Sequence, residues 1–312
     1  MGHVAFIFPG QGSQSVGMGK ALSEAFPDAK AVFDAADDAL HEKLSTLCFE
    51  GPDDALKQTA NTQPAILTVS VAAHAVFSKR FATAPAFVAG HSLSEYSALV
   101  AAGAISLADA VRSVRARGTF MQEAVPAGVG AMSAVLGLPP EKVAELCAQA
   151  AQGEVVSCAN FNEPAQTVIA GHAKAVERAG ELLKAAGAKR VLPLQVSAPF
   201  HSALMEPVVA RLGTVLDAVK FNAPSAPVVS NVEAKPNGDA ARIKGLLLQQ
   251  VTGSVRWIEC VQALEQAGVT KVVELGPGRV LCGLVKRISK NLECFNVEDP
   301  ASLEKTLAAI GA

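Results

Sequence analysis

The chain has 312 residues, half of them apolar, 18% charged and 5% aromatic, with 27 Lys and Arg against 29 Asp and Glu for a formal charge of −2. That length predicts two domains and a large buried core. The composition excludes disorder and collagen-like repetition, and the balanced charge excludes a general nucleic-acid binder. Six cysteines lie far apart, with no Cys-x-x-Cys pair and no Cys or His at zinc-ligand spacing. They read as reduced, mostly buried thiols, and no metal is expected. The opening Met1-Gly2-His3-Val4 lacks the basic start of a signal peptide, and Phe6 stands where myristoylation needs a hydroxyl. No apolar stretch reaches the roughly 18 residues of a membrane span. A soluble cytoplasmic monomer, without membrane association, is the expectation.

Val4 to Phe8 predicts a buried strand, ended by the glycine-rich loop Pro9-Gly10-Gln11-Gly12, with helical spacing from about Gly17. Helices then run to Phe81, one of them opened by Asn61 as cap with Pro64 in its first turn. Ala86 to Gly90 predicts a second strand, broken by His91-Ser92 and followed by helical spacing through Leu93, Tyr96, Leu99 and Val100. Ser106 with Asp109 three residues on predicts a capped helix carrying Val111 and Val114.

From about Pro126 to Ala203 the pattern becomes strand (131–138), helix (139–150), strand (154–159), strand (166–170), helix (173–186) and strand (189–196). This βαββαβ order is that of a ferredoxin-like unit. An amphipathic helix through Leu204, Val208, Leu212, Val215 and Val219 follows, then strands at 228–231, 271–275 and 294–297 separated by helices. The expected architecture is a parallel α/β domain made by residues 1–125 and 204–312, with a ferredoxin-like subdomain, residues 126–203, inserted in its middle.

The sharpest chemical signal is Gly90-His91-Ser92-Leu93-Ser94 between a predicted strand and a predicted helix. A serine there is lifted off the sheet edge beside the free N–H groups of a helix start, which makes it a nucleophile candidate. The plainer reading is a helix-capping serine. Ser94 stands where the elbow pattern has glycine. A serine nucleophile needs a base, and the histidines are His3, His41, His74, His91, His172 and His201. His91 adjoins Ser92 and should point elsewhere, although it can line the pocket. His74 lies in an apolar helix and His172 at a helix start. His201, in a turn after Pro199-Phe200, is the best-placed base.

The only aspartate between Ser92 and His201 is Asp109, at a helix start, which disfavours an esterase triad; a backbone carbonyl would have to orient the imidazole. The Pro9 to Ser13 loop lacks the third glycine of a dinucleotide fingerprint, and Met18 stands where a phosphate-binding loop needs lysine. It can instead present a backbone N–H to a developing oxyanion, with Gln11 as donor and Leu93 as the second. Arg117, at the end of its helix before Gly118, is either a solvated cation on the helix dipole or a clamp for a carboxylate.

Five ordered motifs, Phe8-Pro-Gly-Gln11-Gly-Ser-Gln14, Gly90-His-Ser92-Leu, Arg117 with Phe120-Met121-Gln122, Pro199-Phe-His201-Ser and Glu274-Leu-Gly-Pro-Gly278, together resemble the malonyl-CoA:acyl carrier protein transacylases over essentially the whole chain. The resemblance implies an α/β-hydrolase-like domain with a ferredoxin-like insertion. It also implies transfer of a malonyl group from malonyl-CoA to the phosphopantetheine thiol of acyl carrier protein for fatty-acid synthesis, with no cofactor. By the same resemblance Ser92 forms a malonyl ester, His201 moves its proton, Gln11 and Leu93 hold the oxyanion, and Arg117 binds the malonyl carboxylate. Gln250 corresponds to the residue whose main-chain carbonyl orients the histidine, with Gln249 adjacent. Met121, Met132, Asn162, Phe200, His91 and Val280 are implied pocket lining or, one by one, ordinary packing. Phe200 resembles the form that leaves no room for a methyl branch. An acidic carrier implies a basic docking surface, for which Lys189, Arg190, Lys286, Arg287 and Lys290 are candidates. The rival readings are a serine thioesterase or esterase and a discrete acyltransferase of a polyketide pathway.

Overall fold

The computed structural model describes residues 3–196 and 198–311; Met1 and Gly2, read above for targeting signals, lie outside the described residues. In β1 (His3–Phe8), Val4, Phe6 and Phe8 enter one core and Ala5 and Ile7 another, so an unbroken apolar run is what a strand covered on both faces requires. The chain continues through α1 (Lys20–Ala25), α2 (Pro27–Leu40), α3 (Leu44–Glu50) and α4 (Asp53–Leu56) into α5 (Thr59–Arg80), a 22-residue helix buried along most of its length. The expected cap at Asn61 is corrected here. The helix begins at Thr59 after Gln58, whose carbonyl accepts from both Asn61 N and Thr62 N at 2.8 Å. Pro64 is therefore interior, and Asn61 Nδ2 instead donates back to Ala55 O at 2.9 Å.

β2 (Phe87–Gly90) leads through a 3₁₀ turn, Ser92–Ser94, into α6 (Glu95–Ala101), and α7 (Leu107–Glu123) follows, capped as expected by Ser106, whose Oγ accepts from Asp109 N at 3.0 Å. Next come β3 (Gly130–Leu136), α8 (Pro140–Ala151), β4 (Val156–Glu163), β5 (Gln166–His172), α9 (Ala173–Ala185) and β6 (Arg190–Pro193). They form an antiparallel sheet in the order β4-β5-β3-β6 with a core of its own around Val135, Leu146, Ile169 and Val176. The strand expected to end at 159 runs on to Glu163. Its polar Asn160 and Asn162, and register shifts beside them, hide the continuing pairing from an apolar-run reading. His172 occupies the cap position of α9 without capping it; its Nδ1 accepts from Val155 N at 2.9 Å.

The rest of the chain supplies α10 (Glu206–Asp217), β7 (Val228–Val229), β8 (Pro236–Asn237), α11 (Ala240–Thr252), α12 (Trp257–Gln266), β9 (Val269–Leu275), α13 (Val280–Ile288), β10 (Glu293–Val297) and α14 (Pro300–Ile310). The large sheet has the order β10-β9-β1-β2-β7-β8, parallel throughout except for the β7–β8 edge pair. The strand expected over 228–231 stops at Val229, because the chain turns back at Ser230, whose carbonyl accepts from Ala234 N at 2.8 Å. From β1 the order steps to β2 on one side and to β9 on the other. The carboxyl ends of strands flanking such a switch point form the crevice in which α/β sheets hold ligands.

Candidate active site

β2 ends in Gly90 because nothing larger fits: a Cβ there would lie 1.7 Å from the Ser94 carbonyl oxygen. That approach lets the chain double back and puts Ser92 at φ 54°, a left-handed conformation unusual for a side chain of its kind and one that functional sites tolerate. Asn231, just past β7, staples the turn. Its Oδ1 accepts from Ser92 N at 2.7 Å, and its Nδ2 donates to Gly90 O at 2.8 Å. Ser94 adopts φ −80° and ψ 1°, which any L-residue can take, and its buried Oγ donates to Pro9 O at 2.6 Å. The departure from glycine thus costs no backbone strain and ties the elbow to the loop carrying Gln11. Among the described residues the N–H groups of Gln11 and Leu93 are in no hydrogen bond, and both residues border the cavity in front of Ser92.

His201 Nε2 lies 2.7 Å from Ser92 Oγ. On the other side of the ring, Nδ1 faces two carbonyl oxygens, Gln250 O at 2.9 Å and Gly253 O at 3.1 Å. Carbonyls only accept, so Nδ1 carries the hydrogen and Nε2 turns its lone pair to the serine. Gln250 supplies this carbonyl; that of neighbouring Gln249 accepts from Gly253 N at 2.9 Å. Burial, then the Arg117 charge, drive the imidazole pKa down to about 3 against the pull of the two carbonyls, so the free base is the resting form.

The helix expected to end at Arg117 runs through Gly118 to Glu123, because Gly118 packs against α5 instead of stopping the helix; Arg117 is therefore interior to α7 and 1% exposed. Its helix comes so close to α5 that a Cβ on the next residue, Gly118, would lie 2.6 Å from Thr59 O, and this approach sets the guanidinium beside Gln63. Nη1 donates to Gln63 Oε1 at 2.8 Å; Nη2 donates to Gln250 Oε1 at 2.9 Å and to Ser92 Oγ at 3.2 Å. Nε is buried with no partner, and Arg117 takes part in no ion pair among the described residues. The nearby Glu95 carboxylate, 3% exposed, instead accepts from Asn231 N at 3.0 Å and Gln250 Nε2 at 2.7 Å. Burial pushes the Glu95 carboxyl up to about 7, opposed by those two hydrogen bonds and by the Arg117 charge.

A cavity of about 250 Å³ opens in front of these groups. Met121, Met132, Asn162, Phe200, His91 and Val280 all border it, and Val280, 50% exposed, stands at its mouth. His91 turns away from the serine as expected, with Nε2 2.9 Å from Asn162 Oδ1 and its ring tilted against Trp257. Gln63, Glu95 and Asn231 went unnoticed in the sequence. A glutamine just before Pro64 near the polar start of the 59–80 helix, and an asparagine after a parallel strand, were the available signals. Lys189, Arg190, Lys286, Arg287 and Lys290 are exposed on β6 and α13 or just beside them, and none joins an ion pair among the described residues. Among those residues no cluster of His, Cys, Asp and Glu could hold a metal, and no helix is long and apolar enough to cross a membrane.

Parallel-sheet proteins that raise a serine on an elbow of this kind handle acyl groups through its hydroxyl, and that is the class this fold and site define. A family model described as an acyl transferase domain matches residues 5–300, and the chain belongs to that family. It is 50% identical to the malonyl CoA-acyl carrier protein transacylase of Escherichia coli K12, over 98% of this chain and 99% of that one. Identity to the protein of the same name in Bacillus subtilis strain 168 is also 50%, over 99% and 98%. A crystal structure of an acyl carrier protein S-malonyltransferase from Vibrio cholerae superposes with a TM-score of 0.95 at 51% identity, covering 97% of this chain and 99% of that one.

Proposed function

We propose that this enzyme moves a malonyl group from malonyl-CoA to the phosphopantetheine thiol of acyl carrier protein, through an ester on Ser92, and so supplies fatty-acid synthesis. The observation that carries the reading is Arg117: a buried cation 3.2 Å from the Ser92 hydroxyl, with an idle Nε–H and, among the described residues, no carboxylate in an ion pair with it. A buried charge without a partner is costly, and the carboxylate of a malonyl group on Ser92 would supply the partner.

The steps follow from the geometry. His201 Nε2 takes the Ser92 proton as Oγ attacks the thioester carbonyl, while the N–H groups of Gln11 and Leu93 meet the charge that develops on its oxygen. The C–S bond breaks and the coenzyme A sulfur leaves with the proton from His201. The carrier thiol then retraces the path: it gives its proton to His201, attacks the ester, and Ser92 recovers the proton. Gln250 O and Gly253 O keep the imidazole in one tautomer throughout. A carboxylate on Arg117 also cancels a charge that depresses His201, so binding the right substrate returns basicity to the base. Phe200, 8% exposed before His201, restricts the cavity against a methyl branch on the acyl group.

The exposed basic residues Lys189 and Arg190 at the start of β6, and Lys286, Arg287 and Lys290 at the end of α13, offer an acidic carrier a docking surface. Cysteines without disulfides, five of the six buried, support a reducing cytoplasm. A solved relative, 48% identical and with a TM-score of 0.96, is described as a malonyl-transacylase in complex with a type II polyketide carrier protein, so an acyltransferase serving a polyketide carrier is the second reading.

The test is a substrate swap. Arg117→Ala should lower kcat/KM for malonyl transfer by ~10²-fold or more, as expected when one partner of a buried pair is lost, while acetyl transfer survives or rises. Equal loss on both acyl groups would overturn the assignment.

A further inference from the structure

Gln250 is held at its two ends by opposite demands. Its Oε1 accepts from Arg117 Nη2 at 2.9 Å, and its Nε2 donates to Glu95 Oε2 at 2.7 Å and to Ser92 O at 3.1 Å. A carboxamide has the same shape after a half-turn, so only its neighbours decide which end faces the arginine. Turned the other way, two donors would face each other at Arg117 and two acceptors at Glu95. Arg117 never accepts and the Ser92 carbonyl never donates; Glu95 Oε2, the nearest acceptor at 2.7 Å and one that also accepts from Asn231 N, holds the same end of the amide. Glu95 forms no ion pair with the guanidinium among the described residues, and Arg117 Nε is left without a partner for a substrate carboxylate to meet.

We propose that Glu95 is a positioning residue for acyl selectivity, fixing the Gln250 amide so that its oxygen aims Arg117 at the carboxylate of the acyl group. The inference rests on the reading of Arg117 as the malonyl clamp. Glu95 does not reach the acyl group and acts through Gln250. The same carboxylate accepts from Asn231 N, and Asn231 staples the nucleophile turn. A merely structural role would therefore slow every acyl group alike, whereas the positioning role separates malonyl from acetyl.

The experiment compares kcat/KM for Ser92 acylation by malonyl-CoA and by acetyl-CoA in the full chain. In the isosteric Glu95→Gln variant an amide replaces the acceptor, and the malonyl-to-acetyl ratio should fall about tenfold, mostly through a higher KM for malonyl-CoA. In an Arg117→Ala background the same change should leave the ratio unmoved. Gln250→Met keeps the main-chain carbonyl under His201 but removes the amide; it should lower the ratio as much as Glu95→Gln, and the two should not add. This second variant decides the matter if Glu95→Gln does not fold. An unchanged ratio, or equal loss on both acyl groups, overturns the role of Glu95. Wild-type protein that takes no malonyl group would instead reject the functional reading beneath it.

Discussion

A histidine whose pKa lies near 3 is an unusual base for an enzyme of neutral solutions, and its cause is local: burial first, then the positive charge of Arg117. The sign is simple. Lowering the pKa keeps Nε2 unprotonated, so acylation loses its base only as the pH falls far below the ordinary histidine range of about 6.5. Stopped-flow acylation with acetyl-CoA, which does not engage Arg117, should show no acid limb between pH 5 and 8. With malonyl-CoA the limb should move up, because the bound carboxylate offsets the guanidinium. A limb centred near 6.5 with both substrates would contradict this account. Ser92 and His201 were legible in the sequence because each stands beside a residue that marks its setting, a glycine before the elbow and a proline turn; Arg117 was placed at a helix end that the structure does not have, since α7 runs on to Glu123, and only the resemblance singled it out. Glu95 and Gln63 were not legible, since a polar residue near the start of a helix looks the same whether it serves a site, suits the helix terminus or satisfies a neighbour.

At the level of elements, the site depends on how closely α7 approaches α5. Gly118 makes that approach possible, and a Cβ there would press on the Thr59 backbone, which cannot yield as a flexible side-chain tip would. Gly118→Ala should therefore destabilise the protein by about 1 to 3 kcal/mol, a fall in Tm of roughly 2–8 °C. It should also reduce malonyl transfer more than acetyl transfer by shifting Arg117. Calorimetry and the two-substrate assay check both effects; a variant with unchanged Tm and unchanged selectivity would show that the helices have slack. Strongly patterned features such as β1, β9 and the capped start of α7 read correctly from apolar runs and caps, whereas the far end of α7 did not, because Gly118 was read as a stop. The errors fell where polar residues continue a strand, as Asn160 and Asn162 do in β4, or where a two-residue strand and its antiparallel edge partner, β7 and β8, carry too little pattern to be seen.

On the scale of the molecule, the parallel sheet brings the ends of β1, β2 and β7 to one edge, and the antiparallel unit borders the cavity with Met132 and Asn162, joined by the Phe200–His201 turn that follows it. Residues from the first tenth of the chain and from its last third thus meet at one hydroxyl. Sequence order gives no measure of such proximity; the five matching motifs supplied it only as a pattern. The central claim, that Ser92 carries a malonyl group between two thiols, is tested most directly by intact mass after mixing with malonyl-CoA without acceptor, followed by peptide mapping and addition of a pantetheine thiol. The account predicts one long-lived malonyl adduct on the peptide containing Ser92, none on Ser92→Ala, and its quantitative passage to the thiol. An adduct elsewhere, rapid loss to water, or undiminished loading of the thiol by Ser92→Ala would contradict it.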